Sequence, residues 1–160
     1  MSDTERIAVD LAVRYEEMHG RQVIDIGHGW PVGLGPEVQS WAMEHHGFSG
    51  RPTCDLVSRH EDGSIARLIE VKGRGGPTSI HLVDRQRTAM LGLSRDWWLY
   101  VVLACRSPAP RLVVVEDPAR LPWQLIKPPA PGGPTGRVAD EREWYVMPND
   151  VLAAGDEVAY

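Results

Sequence analysis

An α/β fold, with a mixed central β-sheet flanked by helices, is predicted by three observations. The elements read along the chain run helix, strand, hairpin, helix, strand, strand, an order that layers helices on a sheet. Residues 54–59 and 68–73 both alternate apolar with polar side chains on either side of Asp62-Gly63, a two-residue hairpin signal because both residues tolerate positive φ. Residues 97–105 form an unbroken apolar run, the pattern of a strand covered on both faces.

Each element has its local reason. Ser2 and Glu5 have capping-box spacing and open a first helix, in which Ile7, Leu11, Tyr15 and Met18 recur at helical spacing as the expected buried stripe. Gly20 stops it. Residues 21–26 read as a strand and 27–35 as an irregular Gly- and Pro-rich stretch. Pro36 then suits the first turn of a short helix that points Val38, Trp41 and Ala42 inward and ends at Gly47. His45 and His46 close that helix; adjacent residues point in different directions, so the two are not expected to share a metal ion. After the hairpin, residues 73–77 read as a flexible loop without the spacing of a nucleotide-binding loop. Asp84 is placed to N-cap a helix through Ala89, Met90 and Leu91 to Gly92. Residues 111–116 form a further strand and 128–136 a loop dense in Pro and Gly. A short strand at 143–147 and a helical turn near 150–154 complete the chain.

The hairpin holds the chemistry. With Asp62-Gly63 as the loop, Glu61 faces Ser64, and counting back places Asp55 directly opposite Glu70. Alternation puts Asp55, Val57, Leu68, Glu70 and Lys72 on one face and Cys54, Leu56, Ile69 and Val71 on the other, core, face. Two carboxylates opposed across a strand pair destabilise it, and a hard divalent cation is the best compensation. Lys72 stands out because the chain otherwise uses arginine: its only other lysine is Lys127. A compact ammonium reaches a phosphate oxygen or a bound water as a point charge, where a planar guanidinium does not fit.

At 160 residues the chain is long enough for one domain with its own core. No apolar run has the length of a membrane span and the N-terminus is polar, so a cytoplasmic protein without membrane contact is expected. Cys54 and Cys105 are expected to be buried free thiols. The net charge of −5 excludes strong nucleic-acid binding by bulk charge. Basic residues do gather locally, from Arg51 to Arg95, and Arg74, Arg85 and Arg87 are the expected nucleic-acid contacts.

Asp55 with Glu70-Val71-Lys72, on adjacent strands between two helices, resembles the PD-(D/E)XK nuclease superfamily. The blocks at 14–21, 54–59, 69–74 and 98–102 together resemble more closely the protein NO VEIN C-terminal domain family, over roughly residues 4–120. The resemblance implies a restriction-endonuclease-like core at about 4–120 within a single domain of residues 1–160, followed by the 128–136 loop and a C-terminal extension at 137–160. It implies Asp55, Glu70 and the Val71 carbonyl as ligands of Mg²⁺, or Mn²⁺, and Lys72 as the catalytic lysine. Glu16 would be the acidic residue of the first helix, reaching the metal through water. Gln86 stands where the family tends to have glutamate, and residues 27–50 are an insertion against the family pattern.

The resulting expectation is a Mg²⁺-dependent endonuclease that hydrolyses DNA phosphodiesters, RNA remaining open, and leaves 5′-phosphate ends. The implied setting is restriction, anti-phage defence or repair, with a helicase or defence-system subunit as partner, or a homodimer. The alternative is a catalytically inactive nuclease-fold module that binds nucleic acid or a partner protein within a larger complex.

Overall fold

The computed structural model describes residues 1–126 and 142–159; the Pro/Gly-rich 128–136 loop, Lys127 and the first part of the 137–160 extension lie outside the described residues. The first helix, α1 (Asp3–Met18), carries the expected capping box: Ser2 Oγ accepts from the Glu5 amide and Glu5 returns to the Ser2 amide. Gly20, at φ 75°, follows its end. Then come β1 (Gln22–Asp25), α2 (Leu34–His46), β2 (Leu56–Arg59), β3 (Ile65–Gly73), β4 (Ile80–Val83), α3 (Asp84–Leu93), β5 (Trp97–Leu103) and β6 (Arg111–Glu116). The described chain ends with β7 (Gln124–Leu125), β8 (Glu143–Val146), α4 (Pro148–Ala154) and β9 (Asp156–Glu157).

These strands make the expected mixed sheet, in the order β1-β2-β3-β5-β6-β9, with β3 and β5 parallel and every other pair antiparallel. A second, antiparallel sheet, β4-β8-β7, was not legible: β4 and β7 are short, and their pairing partner β8 is distant in sequence. β4 and α3 together form the crossover that a parallel β3–β5 pair requires.

Helices cover both faces of the main sheet. On one face α1 packs through Ala8 and Ala12 against Leu56, Ile69, Tyr100 and Val102. On the other, Val38 and Ala42 of α2 and Ala89, Met90 and Leu93 of α3 pack against Val57, Leu68 and Trp97. Two expectations are corrected here. The fully buried line of α1 runs through Ala8, Ala12 and Glu16; Ile7, Leu11 and Tyr15 of the expected stripe pack against the same core while only partly buried, and Met18 is exposed. The reason is close approach: a Cβ on Gly73 of β3 would stand 2.7 Å from the Thr4 carbonyl oxygen and 3.0 Å from Ala8 Cβ, so the contact admits only small residues. The face carrying Glu70 is also not a solvent face, because α3 and β4 cover it; Cys54 joins that side, with Val57 and Leu68, and not the side of Leu56 and Ile69.

The hairpin loop is corrected as well. It has three residues, Glu61-Asp62-Gly63, closed by the Gly63 amide on the His60 carbonyl, with Gly63 at φ 88°. An odd loop shifts pairing by one, and Arg59 accordingly pairs with Ile65. A bulge at Ala66 then shifts it back, so Ser58 faces Arg67 and Leu56 faces Ile69. Beyond the bulge the register is the one expected. Asp84 does not N-cap α3; its carboxylate takes the indole N–H of Trp144 at 3.0 Å and Arg142 at 3.0 Å, and Gln86 Oε1 accepts the Val83 amide instead. Among the described residues no helix is long and apolar enough to cross a membrane.

Candidate active site

The strand ladder between β2 and β3 ends at Leu56–Ile69, one step before Asp55 and Glu70 would pair. Asp55 leaves the ladder there. Its amide donates to the Ile69 carbonyl at 2.9 Å, its carbonyl accepts from Ile26 at 3.0 Å, and its Oδ2 accepts the Val71 amide at 2.8 Å. The aspartate side chain thus takes the place of a strand partner for the end of β3. A residue's N–H and C=O point to the same edge of a strand, so the Val71 carbonyl opens on the Asp55 side as its amide does. Both carboxylates and this carbonyl therefore meet at the free end of β3.

Glu70 points under α3 and is only 2% exposed. Its Oε1 accepts from Gln86 Nε2 at 2.5 Å and lies 3.2 Å from Lys72 Nζ. Its Oε2 is buried without a partner. Lys72 Nζ also donates to Gln86 Oε1 at 3.4 Å, so Gln86 ties the carboxylate and the ammonium together from the first turn of α3. Burial, and after it the neighbouring Asp55 charge, push Glu70 up to about 7 against the opposing pull of Lys72 and Gln86. Burial also raises Asp55, partly offset by the Val71 amide and Lys72; Asp25 and Glu5 push it the same way as burial.

These groups line a cleft of about 540 Å³ that also includes Glu5, Asp25 and His28. The cleft continues past Lys72, Arg74, His81 and Gln86 into a second hollow of about 550 Å³, lined further by Thr78, Ser79, Arg85 and Glu143. One half is acidic and the other is predominantly basic. Glu5, Asp25 and His81 were not singled out from the sequence. Glu5 was legible only as a cap, and Asp25 ends β1, whose partner β2 determines where it lies.

The structure brings Asp55, Glu70, Val71, Lys72, Gln86, Arg74 and Arg85 together around the cleft, and places two expected site residues elsewhere. Glu16 is buried in α1 away from the cleft lining, and both of its oxygens are taken. Arg21 holds it in a two-pronged ion pair, Ser58 Oγ donates at 2.6 Å, Tyr100 Oη donates to Oε1, and Arg67 lies at 3.5 Å. These partners hold its carboxyl below the ordinary range despite burial. Glu16 therefore has no oxygen left for a metal-bound water. Arg87 lies over the Trp144 ring at 3.8 Å, outside the lining of the cleft. Arg74 lines the cleft with part of its guanidinium committed, Nε to the Ser79 carbonyl at 2.8 Å and Nη1 to that of Gly73 at 2.8 Å.

The donor set fits a hard divalent cation. It is all oxygen, it contains a buried carboxylate oxygen without a partner, and it opens on a cleft with room for water. Among the described residues no three His, Cys, Asp or Glu side chains converge as a metal cluster, which is compatible with two carboxylates and a carbonyl. Compared with known proteins, residues 4–115 match the family model described as Protein NO VEIN, C-terminal. No curated protein and no solved structure matches the chain.

Proposed function

The chain belongs to the protein NO VEIN C-terminal family, and from that membership and the cleft we propose that it is a divalent-metal-dependent nuclease acting on DNA phosphodiesters. The observation that carries this reading is Glu70: a carboxylate almost removed from water, with one oxygen unpartnered, beside a second carboxylate and a lysine. A structural role leaves the cost of that oxygen unexplained, since buried polar atoms are normally hydrogen-bonded. A Mg²⁺ or Mn²⁺ ion held by Asp55, Glu70 and the Val71 carbonyl offsets it, and when bound supplies Lewis-acid polarisation of the phosphoryl oxygen and a water of lowered pKa.

The remaining work falls to the chain's own side chains. Lys72 sits 3.2 Å from Glu70 and stabilises negative charge that develops on the phosphate. Gln86 fixes Lys72 and Glu70 relative to each other and so sets the distance between the ammonium and the carboxylates. The Val71 amide holds Asp55 Oδ2 and thereby orients that carboxylate. Arg74 and Arg85 make the far half of the cleft basic, which draws the polyanion past the acidic half. With a net charge of −5, firm binding at physiological salt calls for added basic surface from a partner such as a helicase or defence-system subunit, or from a second copy.

The test is cleavage of supercoiled plasmid and of linear single strands in Mg²⁺, Mn²⁺ or EDTA, by the wild-type chain and by Asp55→Asn and Lys72→Ala. Metal-dependent cutting lost in both variants supports the reading. Nucleic-acid binding without cutting under every condition favours the inactive binding module.

A further inference from the structure

Beside the carboxylates, the same cleft holds a hydrogen-bonded chain that the proposed chemistry above does not use. Ser79 Oγ lies 2.7 Å from His81 Nε2, and His81 Nδ1 lies 3.4 Å from Glu143 Oε2. Two of the three residues come from paired strands of the second sheet, and the third from the residue that leads into one of them. Ser79 immediately precedes β4, His81 lies on it two residues later and so on the same face, and Glu143 is the diagonal neighbour of His81 on β8, where His81 faces Tyr145 and Val83 faces Glu143. Ser79 is fixed from its backbone too, by the Arg74 guanidinium on its carbonyl at 2.8 Å. His81 lines both hollows, in common with Lys72, and the carboxylates line one of them.

Resting on the nuclease reading, we propose that Ser79 is the proton donor to the leaving oxygen of the scissile phosphodiester, with His81 as its proton source and Glu143 as a positioning residue. An ionised carboxylate only accepts, so Glu143 keeps a proton on His81 Nδ1 and aims Nε2 at Ser79. When His81 is doubly protonated, Nε2–H donates to Ser79 Oγ and releases the serine hydroxyl proton toward the cleft. In the reaction the water oxygen forms the new P–O bond. The P–O3′ bond breaks with its electron pair staying on O3′. O3′ takes the hydroxyl proton of Ser79, and Ser79 Oγ takes the Nε2 proton of His81. The proton lost by the attacking water leaves to solvent, which later reprotonates His81. No oxidant or co-reactant is needed. Lys72, Arg74 and Arg85 on the same lining stabilise phosphate charge but cannot replace this step: a guanidinium does not give up its proton, and Lys72 is engaged by Glu70 and Gln86.

The experiment compares two oligonucleotides in Mn²⁺, one with a natural linkage and one with sulfur replacing the bridging O3′ at a single position, since a thiolate leaves without a proton. Wild type, Ser79→Ala, His81→Gln and Glu143→Gln are measured on both. General acid catalysis is worth about 100-fold or more, so Ser79→Ala and His81→Gln should lose about that on the natural linkage and little on the sulfur linkage. Glu143→Gln should lose less, with the same selectivity. In the metal-free protein, ¹⁵N imidazole spectra should show the neutral His81 ring protonated on Nδ1, a bias that Glu143→Gln abolishes. Equal loss on both linkages, no loss on either, or an Nε2–H tautomer overturns the inference while the nuclease stands. Wild type that cuts neither linkage overturns the nuclease reading, and this inference with it.

Discussion

Glu70 gives the site a measurable signature without any substrate. In the unfolded chain its carboxyl titrates near the ordinary 4.5; in the folded, metal-free chain burial and Asp55 push it to about 7. Below about pH 4.5 it is protonated in both states and costs nothing. Between 4.5 and 7 the folded state keeps the proton that the unfolded state has lost, so stability falls as pH rises, and above 7 the whole cost is present. At about 1.4 kcal/mol per pH unit the loss across this window is about 3 kcal/mol. For a chain of this size that is about 6–12 °C in melting temperature. The assay is thermal unfolding in EDTA at intervals from pH 5 to 8.5, for wild type and Glu70→Gln. The difference between the two curves isolates the term, because a pH-independent cost of the substitution moves one curve bodily and leaves its slope alone. Wild type should lose stability relative to Glu70→Gln as pH rises, and saturating Mg²⁺ at pH 8 should restore it. Parallel curves would refute both the burial of Glu70 as a charge and the case for a cation built on it.

Further outcomes follow from the same geometry. Mg²⁺ or Mn²⁺ should stabilise the folded chain by mass action, about 2.7 kcal/mol at 100 times Kd, and so raise its melting temperature, and Asp55→Asn should raise the metal-free value and remove the gain; thermal unfolding with and without the ion checks both. Lys72→Ala and Lys72→Arg should abolish cleavage yet keep the metal-dependent stabilisation, since Lys72 is not a ligand; a fully active Lys72→Arg would sink the argument from its compact charge. Fluorescent duplex titrated in Ca²⁺ at several salt concentrations should bind weakly, with the slope of log affinity against log salt falling by about 0.9 for each lost phosphate contact. Arg74 and Arg85 should carry that loss, and Arg87, engaged with Trp144, should contribute little. Glu16→Ala should cost about 3–5 kcal/mol because it strands the cations of Arg21 and Arg67, while the metal affinity of the folded protein stays unchanged.

Local rules carried most of the legible part. The capping box, the existence of the hairpin and the two-face burial of β5 all depend on residues near one another in sequence. What escaped was set by distant partners. Glu16 had the right chemistry and the right helix for a ligand. Whether it meets a metal or an arginine depends on Arg21, Ser58, Arg67 and Tyr100, which come from three strands and the turn before β1. β4 was invisible for the same reason: four residues with two buried side chains make a strand only because β8 pairs with them, 60 residues later. The chain of Ser79, His81 and Glu143 lies across that unseen pairing.

The hairpin shows why the central pair survived an incorrect local reading. A loop of three residues, not two, should have turned every side chain of β3 to the opposite face. That would have sent Leu68 to the α1 side and Ile69 under α3, and with them Glu70 away from Gln86. Ala66 as an extra residue restores the parity before the apolar stretch begins, so Leu68 and Ile69 meet the two cores that suit them. Burial on both faces admits only one parity for residues 68–72, and the loop and bulge adjust to it. Deleting Ala66 removes only the extra residue: Ser58 still faces Arg67, Arg59 still faces Ile65 and the 61–63 loop closes as before, so the parity of residues 68–72 is kept without a bulge. A chain lacking Ala66 should fold with the 61–63 loop intact, an unbulged β2–β3 ladder and an unchanged metal-dependent gain in melting temperature. Loss of that gain in a folded deletion variant would mean that the core does not set the register of the carboxylates.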